Sequence, residues 1–232
     1  GSNYNKVFTN DNKSLTDGLN CDANIDYKKS FRKKEQELTV SAQWSGNERK
    51  TDYEVGRLDA QDHAYYKEAS LNRNLNIEKT LQADYSQPFG KKLLLETGVK
   101  TIFRDVTSDY GYDTLDFSND AFVNDSSRSS RFNYQQDVQA GYVQETYTLG
   151  NFGIKAGLRY ERTSIHGKQG ESYTSFANTY HNLIPTGTVS YSRPGKYTLK
   201  FSYTRRIQRP GMNYLNPWVN TSDSLNITYG NP

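Results

Sequence analysis

A period of two runs through almost the whole chain, and it leaves room for little but β-strands. In ELTVSAQW, Leu38, Val40, Ala42 and Trp44 fall on one face and Thr39, Ser41 and Gln43 on the other. LNIEKTLQADY sets Leu75, Ile77, Leu81, Ala83 and Tyr85 against Asn76, Glu78, Thr80, Gln82 and Asp84. The pattern returns as Leu93, Leu95, Val99 and Phe103 against Glu96, Lys100 and Arg104. It returns again as Phe152, Ile154, Ala156, Leu158 and Tyr160 against Lys155, Arg159 and Glu161. Tyr197, Leu199, Phe201 and Tyr203 face away from Thr198, Lys200, Ser202 and Thr204. Two further strands are expected at about 22–31 and 182–192. The run from about 132 to 149 changes parity between Tyr142 and Val143, which predicts a β-bulge there.

The connections alternate as regularly as the strands. Short links fall at 32–34, 88–91, 150–151 and 194–196, and long ones at about 46–73, 105–130, 165–181 and 208–224. Antiparallel neighbours joined in sequence order put successive links at opposite ends, so all the short turns share one edge of the sheet. A two-sheet sandwich also has alternating strands. The short/long rhythm and the strand length favour a transmembrane β-barrel, with tight periplasmic turns, long extracellular loops and an apolar outside. The expected fold is therefore all-β: an antiparallel up-and-down meander of about eight long strands, forming part of a large barrel. A turn of helix is expected only around 57–69, RLDAQDHAYYKEA.

Composition agrees. Only 34% of the 232 residues are apolar, which is low for a chain with a deep water-excluding core. Yet there are 19 Tyr and 10 Phe, and disordered chains lack aromatics. Twenty-nine basic against 26 acidic residues is too balanced to argue for nucleic acid. The single cysteine, Cys21, excludes an internal disulfide framework. No apolar run is long enough for a transmembrane helix. The opening Gly1–Ser2 reads as the remnant of an expression tag, with residues 1–20 as tag and N-terminal loop and 21–232 as a partial barrel. His63, His166 and His181 lack zinc spacing, and no P-loop, G-x-S-x-G or H-E-x-x-H occurs. No catalytic residue, metal or cofactor is expected.

FSYTRRIQRPGMNYLNPW, followed by a terminal GNP, is the most specific stretch. Its Arg205-Arg206-Ile207, Arg209-Pro210, Leu215-Asn216-Pro217 and Gly230-Asn231-Pro232 resemble the outer-membrane β-barrel family found in TonB-dependent receptors. LQADYSQPFGKKLLLETGVKTIFRD and FGIKAGLRYE resemble the same family, and GMNY departs from it where a bulkier aromatic pair is usual. The resemblance implies a bacterial outer-membrane location and active nutrient uptake. It also implies a barrel of about 22 strands, filled by an N-terminal plug that contacts an energising inner-membrane complex. The plug and the other strands would lie outside this chain.

Parity then assigns roles. Lys100, Arg104, Lys155, Arg159, Glu161, Lys200 and Arg206 should face the lumen and the plug. Arg205 has the parity of Phe201 and Tyr203 and should emerge at the outer interface, beside lipopolysaccharide headgroups or loop carboxylates. Arg209, Asn216, Pro217 and Trp218 complete the family motif at that interface. Lys79 shares the apolar parity of Ile77 and Leu81, which is tolerable only near the headgroups. In the acidic stretch 105–125, Tyr110, Tyr112 and Phe117, with Asp109 and Asp113, are the candidates for capturing an unknown nutrient ligand, against a plain solvated loop. Two other functions stay open: a surface binding or adhesion module without transport, and a barrel enzyme such as a lipase or protease. A cut barrel without lipid should self-associate through its edges or turn inside out, burying Leu38, Val40, Trp44, Leu75, Leu81, Leu93, Val99, Ile154, Leu158, Leu199 and Phe201.

Overall fold

The computed structural model describes residues 9–170, 174–209, 220–223 and 226–228. Within them the chain is strand and turn without helix. The strands are β1 (Thr9–Ser30), β2 (Glu37–Leu58), β3 (Ala64–Phe89), β4 (Leu93–Asp116), β5 (Ala121–Asn124), β6 (Ser130–Leu149), β7 (Phe152–Gln169), β8 (Thr174–Arg193) and β9 (Tyr197–Thr204). A separate small ribbon pairs β10 (Asn220–Asp223) with β11 (Asn226–Thr228). The main sheet runs β1-β2-β3-β4-β6-β7-β8-β9, with β5 attached to β4. Every long pairing is antiparallel. The four short links are its tight turns. Three of them place a glycine (Gly90, Gly150, Gly195) at positive φ, the left-handed conformation a short hairpin needs, and the fourth uses Glu35.

Most of the expected long loops are strand. β2 and β3 continue to Leu58 and from Ala64, so the helical turn expected at 57–69 is a β-hairpin closed at 59–63. β1 begins at Thr9, so residues 9–20, expected as loop, extend that strand. The reason is common to all these places. Beyond the membrane both faces of a hairpin meet water, so alternation fades while the backbone ladder continues. Nor is there a bulge near Val143, because both of β6's pairings run without a register shift. Val138 and Ala140 are buried on the inner face, and Val143, Tyr147 and Leu149 lie on the outer one. An apolar patch on each face had imitated a slip.

Register also yields the strand tilt. One cross-strand row links Glu37, Ser86, Glu96, Gln144, Gly157, Thr186 and Thr204. It starts at the first residue of β2 and ends seven residues past Tyr197, the first of β9. Seven residues at about 3.3 Å, over six steps of about 4.8 Å, give roughly 40° if the short turns share one plane. That is the tilt of a membrane barrel.

The two faces differ as a barrel requires. The outer band stays open, with Leu81 at 52%, Leu158 at 47% and Phe201 at 76% exposure, while inner-face Glu161 and Thr163 are at 2% and 4%. The inside-out burial of the apolar stripe is therefore overturned: that face is left for the bilayer. Above the band, a small core of Val106, Phe132, Tyr134 and Ile165, with Phe176 against it, packs on the inner face.

Candidate functional site: the inner face and the hairpin tips

Several inner-face charges are tied in pairs across strands. Arg104 Nε donates to Glu78 Oε2 at 2.8 Å. Lys155 Nζ lies 3.2 Å from Glu96 Oε2, which also accepts from Gln144 Nε2 at 2.8 Å. Tyr142 donates to Asp84 Oδ1 at 2.8 Å, and its ring crosses Gly98. A Cβ there would strike Asp84 Oδ1 and meet the Tyr142 ring at 2.6 Å and the Ala83 carbonyl at 2.9 Å. Lys100 and Lys200 lie on the same face, beside Gln82 and Ser190 in register.

The most enclosed charge is Glu161, whose side chain is 3% exposed. Arg159 Nη2 reaches its Oε2 at 3.2 Å and Arg209 pairs with its Oε1. Arg209 was expected at the outer interface and is found on the inner side instead. After Thr204 the chain leaves the sheet edge and turns inward across β8. There Ile207, Gln208 and Arg209 enclose a cavity of about 300 Å³ with Tyr134, Gln136, Thr163, Ile165, Tyr180 and Asn182. Burial pushes the Tyr134 hydroxyl up from its ordinary range. Arg205 keeps the outer parity. Its amide donates to Pro185 O at 3.4 Å, and its guanidinium reaches Leu183 O at 3.5 Å. Arg206 is exposed in the segment after β9. Asn216, Pro217 and Trp218 lie outside the described residues.

The loop candidates separate. Tyr110 points inward, half-buried, and Phe117 sits exposed in the turn after β4. Asp109 is 3.3 Å from Arg131 Nε, and Asp113 accepts from Asn124 Nδ2 at 2.8 Å. Tyr112 is 2% exposed. Its hydroxyl contacts Glu68, lies 2.9 Å from the Tyr66 hydroxyl and receives Arg128, whose guanidinium stacks 3.7 Å over the ring. This buried clamp locks the β3–β4–β5 tip and withdraws Tyr112 from the aromatics able to stack on a ligand. Burial, then the Glu68 hydrogen bond, raise its pKa. Asp116 and Asp125 cap their own turns through Ser118 and Ser127, which holds both carboxyls below their usual range.

Sequence reasoning did not find the Glu161–Arg209 pair, the clamp or the cavity. Their members lie far apart in the chain, Glu161 and Arg209 by 48 residues. The register of the extended hairpins was the one signal that would have aligned Glu68 with Tyr112's neighbourhood.

These observations define a segment of a transmembrane barrel: a meander at barrel tilt, an apolar band outside and paired charges inside. The chain belongs to the outer membrane protein beta-barrel family, whose model matches residues 29–232. It is accordingly a bilayer-embedded protein of the bacterial outer membrane. Comparison with curated proteins gives no match. Among solved structures, the ferric citrate transporter FecA in its unliganded form is similar at 14% identity and a TM-score of 0.43, over 71% of this chain and 26% of FecA. The chain thus spans about a quarter of FecA's length.

Proposed function

We propose that this chain is the barrel segment of a plug-gated, TonB-dependent receptor that takes up a nutrient across the outer membrane. One observation carries the reading. Eight long strands are enough to close a small barrel, yet β1 and β9 do not pair among the described residues. The segment therefore fits a wider barrel, whose polar lumen needs a plug to stay shut. On this reading a plug domain faces Lys100, Lys155, Arg159 and Lys200, and an energising inner-membrane complex acts on that plug. These residues hold and wet the passage and do no bond chemistry.

Planar-bilayer conductance of the full-length protein tests this without knowledge of the nutrient. A plugged barrel is closed at rest and conducts once urea unfolds the plug. Steady conductance without urea would mark an open pore. Silence under both conditions would mark a binding or adhesion module, and either result rejects the proposal.

A further inference from the structure

β9 covers only the lower part of β8. Their register runs from Arg193↔Tyr197 to Thr186↔Thr204, while β8 continues up to Thr174. Among the described residues, nothing pairs with residues 174–185 on that side. The sequence holds the reason that the ladder stops. Continued by one step, the register sets Arg205 against Pro185. The Arg205 amide donates to Pro185 O at 3.4 Å, but proline has no N–H to give back to the Arg205 carbonyl. The rung is half made, and there the chain turns inward.

The next bonding position on that edge is Leu183. The Arg205 guanidinium lies 3.5 Å from its carbonyl, where a backbone amide would stand in a continued strand. The position after it is His181. With the register extended, these two residues face Ile207 and Arg209. The strap formed by residues 205–209 therefore has two seats. Inward, it has the Arg209–Glu161 pair and a half-buried Ile207 over the cavity of about 300 Å³. On β8, it gains rungs at Leu183 and His181, and Glu161 keeps Arg159 and the Thr163 hydroxyl. A backbone hydrogen bond contributes modestly net of water, and so does an ion pair whose guanidinium is one-third exposed. The two seats are thus close in free energy.

We propose that residues 205–209 are a two-position strap: docked on the inner wall they close the cavity beside Tyr134 and Tyr180, and zipped onto β8 they open it to the lumen and extend the wall. Pro185 sets the hinge at Arg205. The move reverses the facing of Ile207, which lines the cavity when docked and shares the outward parity of Phe201, Tyr203 and Arg205 when zipped. A ligand shifts such a balance only by binding one state better than the other, so a cationic group competing with Arg209 for Glu161 favours the zipped seat. Resting on the transport reading, this adjusts the width of the passage beside the plug.

The test uses the full-length protein in lipid vesicles, with Cys21, which is exposed, changed to serine and with Leu183→Cys and Ile207→Cys introduced. In a hydrogen-bonded antiparallel pair the Cα atoms stand about 5.5 Å apart, within the span of a disulfide. When the strap is docked, the two side chains lie on opposite sides of the sheet and no bond forms. The initial rate of copper-catalysed cross-linking, read by mass spectrometry of peptides, therefore reports the zipped seat. Arg209→Ala, which removes the latch, and Pro185→Ala, which supplies the missing N–H, should each raise that rate at least three-fold. Arg193→Ala, at the lower turn, should leave it unchanged. Val189→Cys with Phe201→Cys, partners in the paired part of the ladder, should cross-link in every folded variant. The proposal is overturned if that control bond forms and the Leu183–Ile207 bond never does, or if neither Arg209→Ala nor Pro185→Ala changes the rate. The two variants act on opposite seats, so either one decides the outcome if the other fails to fold. The readout is a bond within the barrel wall, so it fails or stands separately from conductance.

Discussion

Arg209 and Glu161 meet on the inner side of the sheet, and their pairing carries the chain that follows β9 inward across β8. Glu161 is nearly inaccessible, and its second oxygen is held by Arg159. Removing the carboxylate leaves two guanidiniums facing each other, whereas removing Arg209 leaves Glu161 with Arg159 and the Thr163 hydroxyl. Glu161→Ala should therefore cost about 3–5 kcal/mol, as for a broken buried pair. Arg209→Ala, whose side chain is one-third exposed, should cost less, about 1.5–3 kcal/mol. Urea unfolding of the full-length barrel in lipid vesicles, read as a double-mutant cycle, checks the order. A larger loss for Arg209→Ala would mean that the inward turn is held elsewhere.

Gly98 is a close approach on the inner face that involves the sheet backbone. The Tyr142 ring lies across it to reach Asp84, and a methyl group would strike the ring and the Ala83 carbonyl as well as the carboxylate. The carboxylate and ring can shift, but the carbonyl belongs to the sheet ladder. Gly98→Ala should destabilise the barrel by about 1–3 kcal/mol. Tyr142→Phe combined with Gly98→Ala should not recover this. Recovery would show that the hydroxyl, and not the backbone, sets the limit.

What the sequence made legible was whatever the bilayer imposes. Val99, Leu158 and Phe201 alternate with Lys100, Arg159 and Lys200 because one neighbour meets lipid and the other the lumen. That fixed the strands, the turns and the facing. Where β2 and β3 rise beyond the membrane, Asn47, Arg49 and Thr51 alternate with residues as polar as themselves, and the strand signal disappears although the pairing continues. The inner-face contacts were hidden for another reason. Arg209 meets Glu161 through a turn of the chain that no period encodes, and Tyr112 is buried by partners on β3 and by Arg128, not by its own neighbours.

The Tyr112 clamp makes the outer tip sensitive to alkali. Burial and Glu68 raise the hydroxyl's pKa above the ordinary tyrosine value of about 10. An acid with a raised folded pKa contributes stability that is complete below the unfolded pKa. That contribution is lost as pH rises from about 10 toward the folded value. The tyrosinate absorbance of wild type minus Tyr112→Phe should therefore isolate one group titrating above pH 10. A difference curve centred at or below 10 would mean the hydroxyl is solvated and the clamp open.

The facing of the sheet predicts the cost of charge by height as well as by parity. Leu158 is outward on β7, six residues above Phe152; at about 3.3 Å per residue and the tilt found above, it lies roughly 15 Å from the lower rim. That is well inside an apolar band of about 25 Å. Lys79 is outward too, between Trp44 and Phe103 in register, but ten residues from Phe89 and so roughly 25 Å up, at the upper rim. Leu158→Lys should cost about 2–4 kcal/mol, and Lys79→Leu should change stability by no more than about 1 kcal/mol. Arg159→Lys, next to Leu158 but facing the lumen, controls for strand position, since it keeps a positive charge beside Glu161. Folding free energies of the full-length barrel in vesicles give all three values. If Leu158→Lys costs no more than Arg159→Lys, the apolar band does not face lipid and the assignment of inner and outer surfaces is reversed.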